Sequence, residues 1–532
     1  MRLRRFLAAL LLVTAACSRR ESPSSASSND KGPADLVVMS GSENESLQPL
    51  IDRFARQNNA NVKVNYRGSV DIMLALDDPN ADVDAVWPAA SIWIDMGDER
   101  KRTKNAESIM RSPVVLGIKK SLAQRLGWVG KDVTVADILA AAEGGKIRYM
   151  MTSATQSNSG AAAYLGYLYS FAGNPDALTS AQLHDNAVSE KIRRLLGTVN
   201  RSAGSSGWLK QLFLDKYDQY DGMVNYESMI IETNRELVQQ RREPLYAIYP
   251  VDGLAIADHP LAYVDRGDAK KAELFKKLQA YLLSPDVQRE ISRSGRRVGV
   301  AALEASTADA ATFNPDWGID LKRVLTPVRF PTPDVIREAL ELYQTSFRKP
   351  SFTVYCLDYS GSMRDAGEDD LKGAMRMLLD QPTAGKFLLQ TSARDITVVI
   401  PFSDHPIAQW KVEGNDPEQL AGLLSQINAL QAEGGTDIFT PAIDARDLIH
   451  SRAGLEGYSP AIILMTDGKS EDGMSLENFK QRWNGSDIPI YSITFGKASD
   501  SQLKEMGQIS SGRVFDGRSD LVRAFRQARG YN

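Results

Sequence analysis

Five oxygen-bearing side chains in the last third of the chain have the types a hard divalent cation needs: Asp358, Ser360, Ser362, Thr436 and Asp467. Asp358 follows the apolar run Phe352–Leu357 (FTVYCL), and Asp467 follows Ala461–Thr466 (AIILMT). Each run reads as a buried strand that ends at a carboxylate. In an open α/β sheet the carboxyl ends of parallel strands share one edge, and ligands bind there. Ser360 and Ser362 lie two apart across Gly361, so a bent loop can aim both hydroxyls at one ion; the glycine leaves room for the bend. Thr436 sits in the loop Gly434-Gly435-Thr436-Asp437. Mg²⁺ favours such an all-oxygen set and keeps some of its waters, with Mn²⁺ or Ca²⁺ as the other candidates. The two acids are committed as ligands, and no nucleophile or general base is placed beside them. The chain therefore reads as a binding protein and not an enzyme, with metal-dependent hydrolysis the poorer reading.

Those residues need a scaffold. Ile396–Phe402 (ITVVIPF), Ile488–Phe495 (IPIYSITF) and Arg513–Phe515 read as further strands. Helical spacing recurs at Leu371, Met375 and Leu378, over Leu420–Leu430, and over Pro441–His450. Residues 350–532 thus predict a doubly wound, Rossmann-like α/β domain. The series Asp-Tyr-Ser-Gly-Ser, then Gly-Gly-Thr-Asp, then Thr-Asp-Gly resembles the von Willebrand factor A (VWA) family. Its metal-ion-dependent adhesion site uses an Asp-x-Ser-x-Ser motif with a distant Thr and Asp. The resemblance implies that Asp358, Ser360, Ser362, Thr436 and Asp467 hold the metal, and that an acidic residue of a protein partner completes its coordination. Asp365, Glu368, Asp369, Asp370, Glu471 and Asp472 read as solvated surface acids, and Cys356 as an inert buried thiol.

Upstream, Leu36–Met39, Val62–Tyr66 and Val83–Trp87 read as strands, each followed by a polar loop and a helix. Three such units imply a parallel sheet with helices on both faces. Their loops bring Ser40, Ser42, Ser69 and Ser91 towards one crevice. Ser112–Lys119 (SPVVLGIK), Met151–Gly160 (MTSATQSNSG) before a helix, Tyr246–Pro260 and Phe275–Arg297 follow. In order and spacing these segments resemble the two-lobed extracellular solute-binding proteins of transport systems, with two crossings between lobes and closing helices. The resemblance covers 35–310 and implies a type II periplasmic-binding-protein-like domain. Hydroxyls and helix N-termini make a donor-rich cleft that suits a small polar or anionic solute. Candidate contacts are Ser40, Ser42, Ser69, Thr152, Ser153, Asn158 and Ser159; the alternative is that they are caps and turn residues. Asn225, Tyr226 and Glu227 fall at the hinge side. Glu43 and Glu45 argue against a simple oxyanion unless they point to solvent.

Residues 311–349 carry Pro315, Pro327, Pro331 and Pro333, then a helical pattern over 334–347 with Asp334 as its expected cap. That helix either sets the geometry between the two large domains or belongs wholly to the last one. At the other end, residues 1–17 combine Arg2, Arg4 and Arg5, a short apolar stretch and Cys17. This resembles a bacterial lipoprotein signal with Cys17 as the lipidated residue; the alternative is a secretory signal with an incidental cysteine. The Ser-rich segment 18–34 reads as a flexible tether. A net charge of −4 over 532 residues gives no electrostatic case for nucleic acid. Two cysteines in unlike contexts exclude a disulfide framework, and four scattered histidines exclude a zinc site; each histidine reads as a surface or satisfied core residue.

Together these readings describe a membrane-anchored, extracytoplasmic envelope protein that binds a protein partner through a metal and captures or senses a small ligand. The alternative is the substrate-binding component of an ABC-type transporter, with the last domain as a docking accessory. Cys17→Ser is expected to move the mature protein from the detergent phase to the aqueous phase on phase partitioning; unchanged membrane association would defeat the anchor.

Overall fold

Alternation of apolar strands with amphipathic helices leaves this chain two ways to bury its strands, and it uses both. The computed structural model describes residues 35–299, 310–468, 470, 473–495, 500–518 and 521–529. Cys17, the tether, Glu471 and Asp472 lie outside the described residues.

The first lobe is a five-stranded sheet in the order Val62–Arg67, Leu36–Gly41, Ala85–Trp87, Pro260–Val264, Thr103–Ser108. Its first three strands are parallel, as the three strand–loop–helix units require. Pro260–Val264, the strand on which the chain returns to the lobe, runs antiparallel to both its neighbours. The third strand starts at Ala85 and not at Val83; just before it the Asp84 side chain accepts the Val37 amide at 2.9 Å. The second lobe is a six-stranded sheet built around Ser112–Lys119, Gly222–Tyr226, Tyr149–Thr152 and Arg201–Ala203. The two crossings run side by side, Ile256 and Ala257 pairing antiparallel with Pro113 and Ser112. Closing helices Ala269–Leu282 and Pro285–Arg293 return to the first lobe, where Phe275, Leu278 and Ile291 share a core with Leu36, Phe54 and Trp87.

The connector helix runs Pro333–Leu342 and continues as a π turn, Tyr343–Phe347. Its cap is Thr332, with Pro333 at the first helical position; Asp334 sits in the first turn, beside the helix's positive end. This helix packs on the second lobe, not on the last domain: Ile336, Ala339 and Leu340 share a core with Tyr164 and Leu168. The Tyr164 hydroxyl donates to the Ala339 carbonyl at 2.8 Å.

The last domain is a six-stranded sheet in the order Trp410–Glu413, Ile396–Phe402, Ser351–Asp358, Ser459–Thr466, Ile490–Thr494, Arg513–Asp516. All neighbours are parallel except the edge strand Trp410–Glu413. The fold class expected of each half therefore holds: a two-lobed, two-sheet α/β domain followed by a doubly wound one.

The halves are not independent beads. One apolar cluster runs from Met150, Phe213 and Met223 of the second lobe into Tyr355, Tyr491 and Phe525 of the last domain. Arg526, on the final helix Leu521–Arg529, is 2% exposed. Its guanidinium donates to Asp71 of the first lobe at 3.0 Å, to the Thr155 carbonyl of the second lobe at 2.9 Å, and to the Phe387 carbonyl of its own domain. Its own carbonyl receives the Gln156 amide. Removing one member of a buried pair strands the other, so Arg526→Ala is expected to lower stability by about 3 kcal/mol in urea unfolding. An unchanged midpoint would remove this contact from the account of how the halves are joined.

Candidate metal centre and ligand cleft

Asp358 is the last residue of its strand and Thr466 the last of the neighbouring parallel strand, so both end at the same edge. The Asp358 carboxylate is fully buried. One oxygen accepts the Ser360 amide at 2.8 Å and the other accepts the Thr466 hydroxyl at 2.5 Å. Ser360 Oγ lies 3.0 Å from Ser362 Oγ, and Ser362 Oγ donates to Asp467 at 2.8 Å. Thr436 comes from the far loop: a Cβ placed on Gly468 would lie 3.8 Å from Ser362 Oγ and 3.9 Å from Thr436 Oγ1. All five residues named from the sequence thus gather at one edge of the sheet.

Their chemistry fits a hard cation. Adjacent ligands of octahedral Mg²⁺, with Mg–O of about 2.1 Å, stand about 3 Å apart, close to the hydroxyl and carboxylate spacings here. Burial pushes Asp358 up to about 6, against the hydrogen bonds from Thr466 and Ser360, and the Asp467 charge pushes the same way. A divalent ion would relieve that cost. Among the described residues no three His, Cys, Asp or Glu side chains gather as ligands; this set has two carboxylates, and hydroxyls supply the rest.

The supporting loop corrects one expectation. Glu368 is not a solvated acid. It pairs with Lys372 at 2.6 Å and accepts the Ala432 amide at 2.8 Å, while Lys372 donates to the Leu430 carbonyl at 2.8 Å. The pair anchors the segment leading to Thr436. Gly434 then adopts φ +85° and its carbonyl receives the Gly361 amide at 3.0 Å, which ties the two halves of the site together. Asp437 is a cap, accepting the amides of Phe439, Thr440 and Met474. Cys356 is buried and free, and burial pushes its thiol well up, as an inert residue requires.

Between the lobes, the candidate ligand contacts are largely engaged by other groups of the protein, and only Thr152 and Ser159 pair with each other. Thr152 pairs with Ser159 at 2.8 Å, Ser159 with Ser206 at 2.8 Å, and Ser153 with Thr155 at 3.2 Å. Ser40 accepts the Asn44 amide at 3.1 Å, Ser69 accepts the Ala89 amide at 3.2 Å, and Ser42 faces the Gly207 amide at 3.5 Å. Asn158 takes the Trp93 indole N–H of the first lobe at 2.7 Å and donates to the Tyr226 hydroxyl at 3.0 Å. The lobes are shut: a Cβ on Gly68 would stand 2.3 Å from the Gln156 carbonyl across the gap. At the hinge Asn225 holds the Ser206 carbonyl, and Glu227 is locked by Arg297 and Tyr249.

The two acids of the first loop part company. Glu45 is exposed; Glu43 is 5% exposed and faces His259 at 3.7 Å, itself 1% exposed. Burial pushes Glu43 up to about 7 and holds His259 down to about 3, with Arg296 adding to the latter. His259 is therefore neutral, and 3.7 Å is too long for a hydrogen bond. This histidine is neither a surface residue nor a satisfied core residue. Sequence reasoning also missed Thr466, hidden as the last letter of an apolar strand, although the Thr-Asp-Gly motif contains it.

Residues 36–297 match the family model described as bacterial extracellular solute-binding protein, and residues 354–523 match the von Willebrand factor type A domain. Among solved structures, the sulfate-binding protein SubI from Mycobacterium tuberculosis H37Rv aligns with 16% identity and TM-score 0.38, over 56% of this chain and 94% of that one. The ferric binding protein from Campylobacter jejuni aligns with 13% identity and TM-score 0.41, over 58% and 98%. A von Willebrand factor type A structure from Catenulispora acidiphila aligns with 19% identity and TM-score 0.29, over 35% and 44%. No curated protein matches.

Thr466→Val removes the hydroxyl that the buried Asp358 carboxylate depends on. Its expected cost is about 2 kcal/mol at pH 8, measured by urea unfolding without metal; a cost below about 0.5 kcal/mol would show the bond to be dispensable.

Proposed function

Because the chain fuses a bacterial extracellular solute-binding domain to a von Willebrand factor A domain, we propose that it is a lipid-anchored envelope protein that grips a protein partner through Mg²⁺. The ion would be held by Asp358, Ser360, Ser362, Thr436 and Asp467. When bound, it supplies an electrophilic position that a carboxylate of the partner completes. One observation carries this reading: side chains from three separated stretches of sequence meet where two parallel strands end, around a carboxylate that burial has made costly to ionise. Both halves are of binding type, which supports a role without turnover. The solute-binding family is extracellular, which supports an extracytoplasmic location, and the Cys17 motif supports the anchor.

The two-lobed domain, in the same proposal, takes a small polar solute between its sheets. The paired crossings and the polar lining of the cleft also support a second reading, the substrate-binding component of an ABC-type transporter with the last domain as docking accessory.

Mg²⁺ is expected to raise the melting temperature of the protein, and Asp358→Asn to abolish that shift while keeping the shape of the side chain. The ion must displace the proton that Asp358 holds below about pH 6. Apparent affinity should therefore fall roughly tenfold per pH unit as pH drops below that value, and level off above it. No heat on titrating Mg²⁺ or Mn²⁺ at pH 7.5 by calorimetry would sink the proposal.

A further inference from the structure

Within the closed cleft the hydroxyl and amide donors are used, and several acceptors are spare. The hydroxyls of Thr152, Ser157, Ser159 and Ser206 are linked to one another, and the Asn158 amide donates to Tyr226. Four buried side-chain atoms nearby have no partner: Glu43 Oε1, Asn44 Oδ1, and both ring nitrogens of His259. Glu43, Asn44 and His259 are 5%, 1% and 1% exposed, so water outside does not satisfy them. The carboxylate and amide oxygens accept; a neutral imidazole adds one acceptor and a single donor. An oxyanion brings only further lone pairs to such a cluster. A group rich in N–H bonds satisfies it.

A cavity of about 370 Å³ meets this cluster at Glu43 alone, which stands in its wall together with Ser42, Glu45, Trp208, Met229 and Glu232, while Asn44 and His259 stand outside that wall. That volume suits a small organic molecule. The cations near it are already engaged. Lys210 is tied to Glu232 and Glu236, and Arg296 to Glu232, Ser46 and the Glu43 carbonyl. Arg513 stacks on Trp208 at 5.1 Å.

We propose that the cleft takes a small organic ammonium, its N–H groups received in the cavity by Glu43, Glu45 and Glu232 and its carbon stem lying against Trp208 and Met229. The assignment rests on the solute-binding reading above and names its ligand class. The raised carboxyl of Glu43 supports it, because a cation arriving beside that carboxyl draws it into its charged form. Tyr226, His259, Arg296, Glu45, Glu232 and Lys210 are the other titratable groups around Glu43.

The test uses the intact protein with four probes: butylammonium, 1,4-diaminobutane, sulfate and phosphate. The expected result is a rise in melting temperature with an amine alone, weakened at least tenfold in affinity by Glu43→Gln. Calorimetry of the unaltered protein in two buffers of different ionisation heat should also show a fraction of a proton released on amine binding at pH 7, a readout that needs no variant to fold. Stabilisation by sulfate or phosphate with none by the amines overturns the ammonium assignment and leaves the solute-binding reading standing. No stabilisation by any probe overturns both.

Discussion

A carboxylate with no access to water is the constraint around which the last domain is organised. Asp358 is fully buried at the end of its strand, and an ionised group there stays only if dipoles or charge replace the lost hydration. The Ser360 amide and Thr466 hydroxyl supply part of that replacement. Each has a structural precondition. The amide requires the chain to turn inward directly after the strand, and the hydroxyl requires Ser459–Thr466 to lie parallel to Ser351–Asp358 in its observed register. The same turn brings Ser360 and Ser362 within 3.0 Å of each other. Sheet order, register and loop geometry thus serve one oxygen cluster.

The stretch that brings Thr436 to the cluster shows how far such organisation reaches. The Glu368–Lys372 pair looks from sequence like an ordinary exposed i,i+4 pair, worth little by itself. In the fold it holds the amide of Ala432 and the carbonyl of Leu430, so its weight lies in where it fixes a backbone. Gly434 then passes the chain through a left-handed conformation that admits the contact to Gly361.

What could be read from the sequence was what depends on near neighbours. Apolar runs ending in Asp358 and Asp467 disclosed buried parallel strands, and the parallel arrangement placed both acids on one edge. The loops of the first domain were legible for the same reason, as polar punctuation after each strand. What escaped depends on partners far along the chain. Glu368 was misjudged because its amide partner lies 64 residues away. His259 was misjudged because nothing in its flanking sequence says that Glu43 will face it in a sealed space. The connector helix was left between two assignments because its apolar stripe, Ile336, Ala339 and Leu340, fits any core of the right shape, and the second lobe happens to offer one. The bonds that engage the cleft serines, from Ser159 to Ser206 and from the Gly207 amide to Ser42, could not be foreseen from composition.

Arg526 touches three bodies with one planar group: a helix of the first lobe, the ligand loop of the second, and its own domain. The jaws of the cleft consequently cannot part while that side chain keeps all of its contacts. Opening and the seating of the final helix are mechanically exclusive, as with a bolt shot across two doors. That side chain therefore ties the final helix to both sides of a crevice formed some four hundred residues earlier.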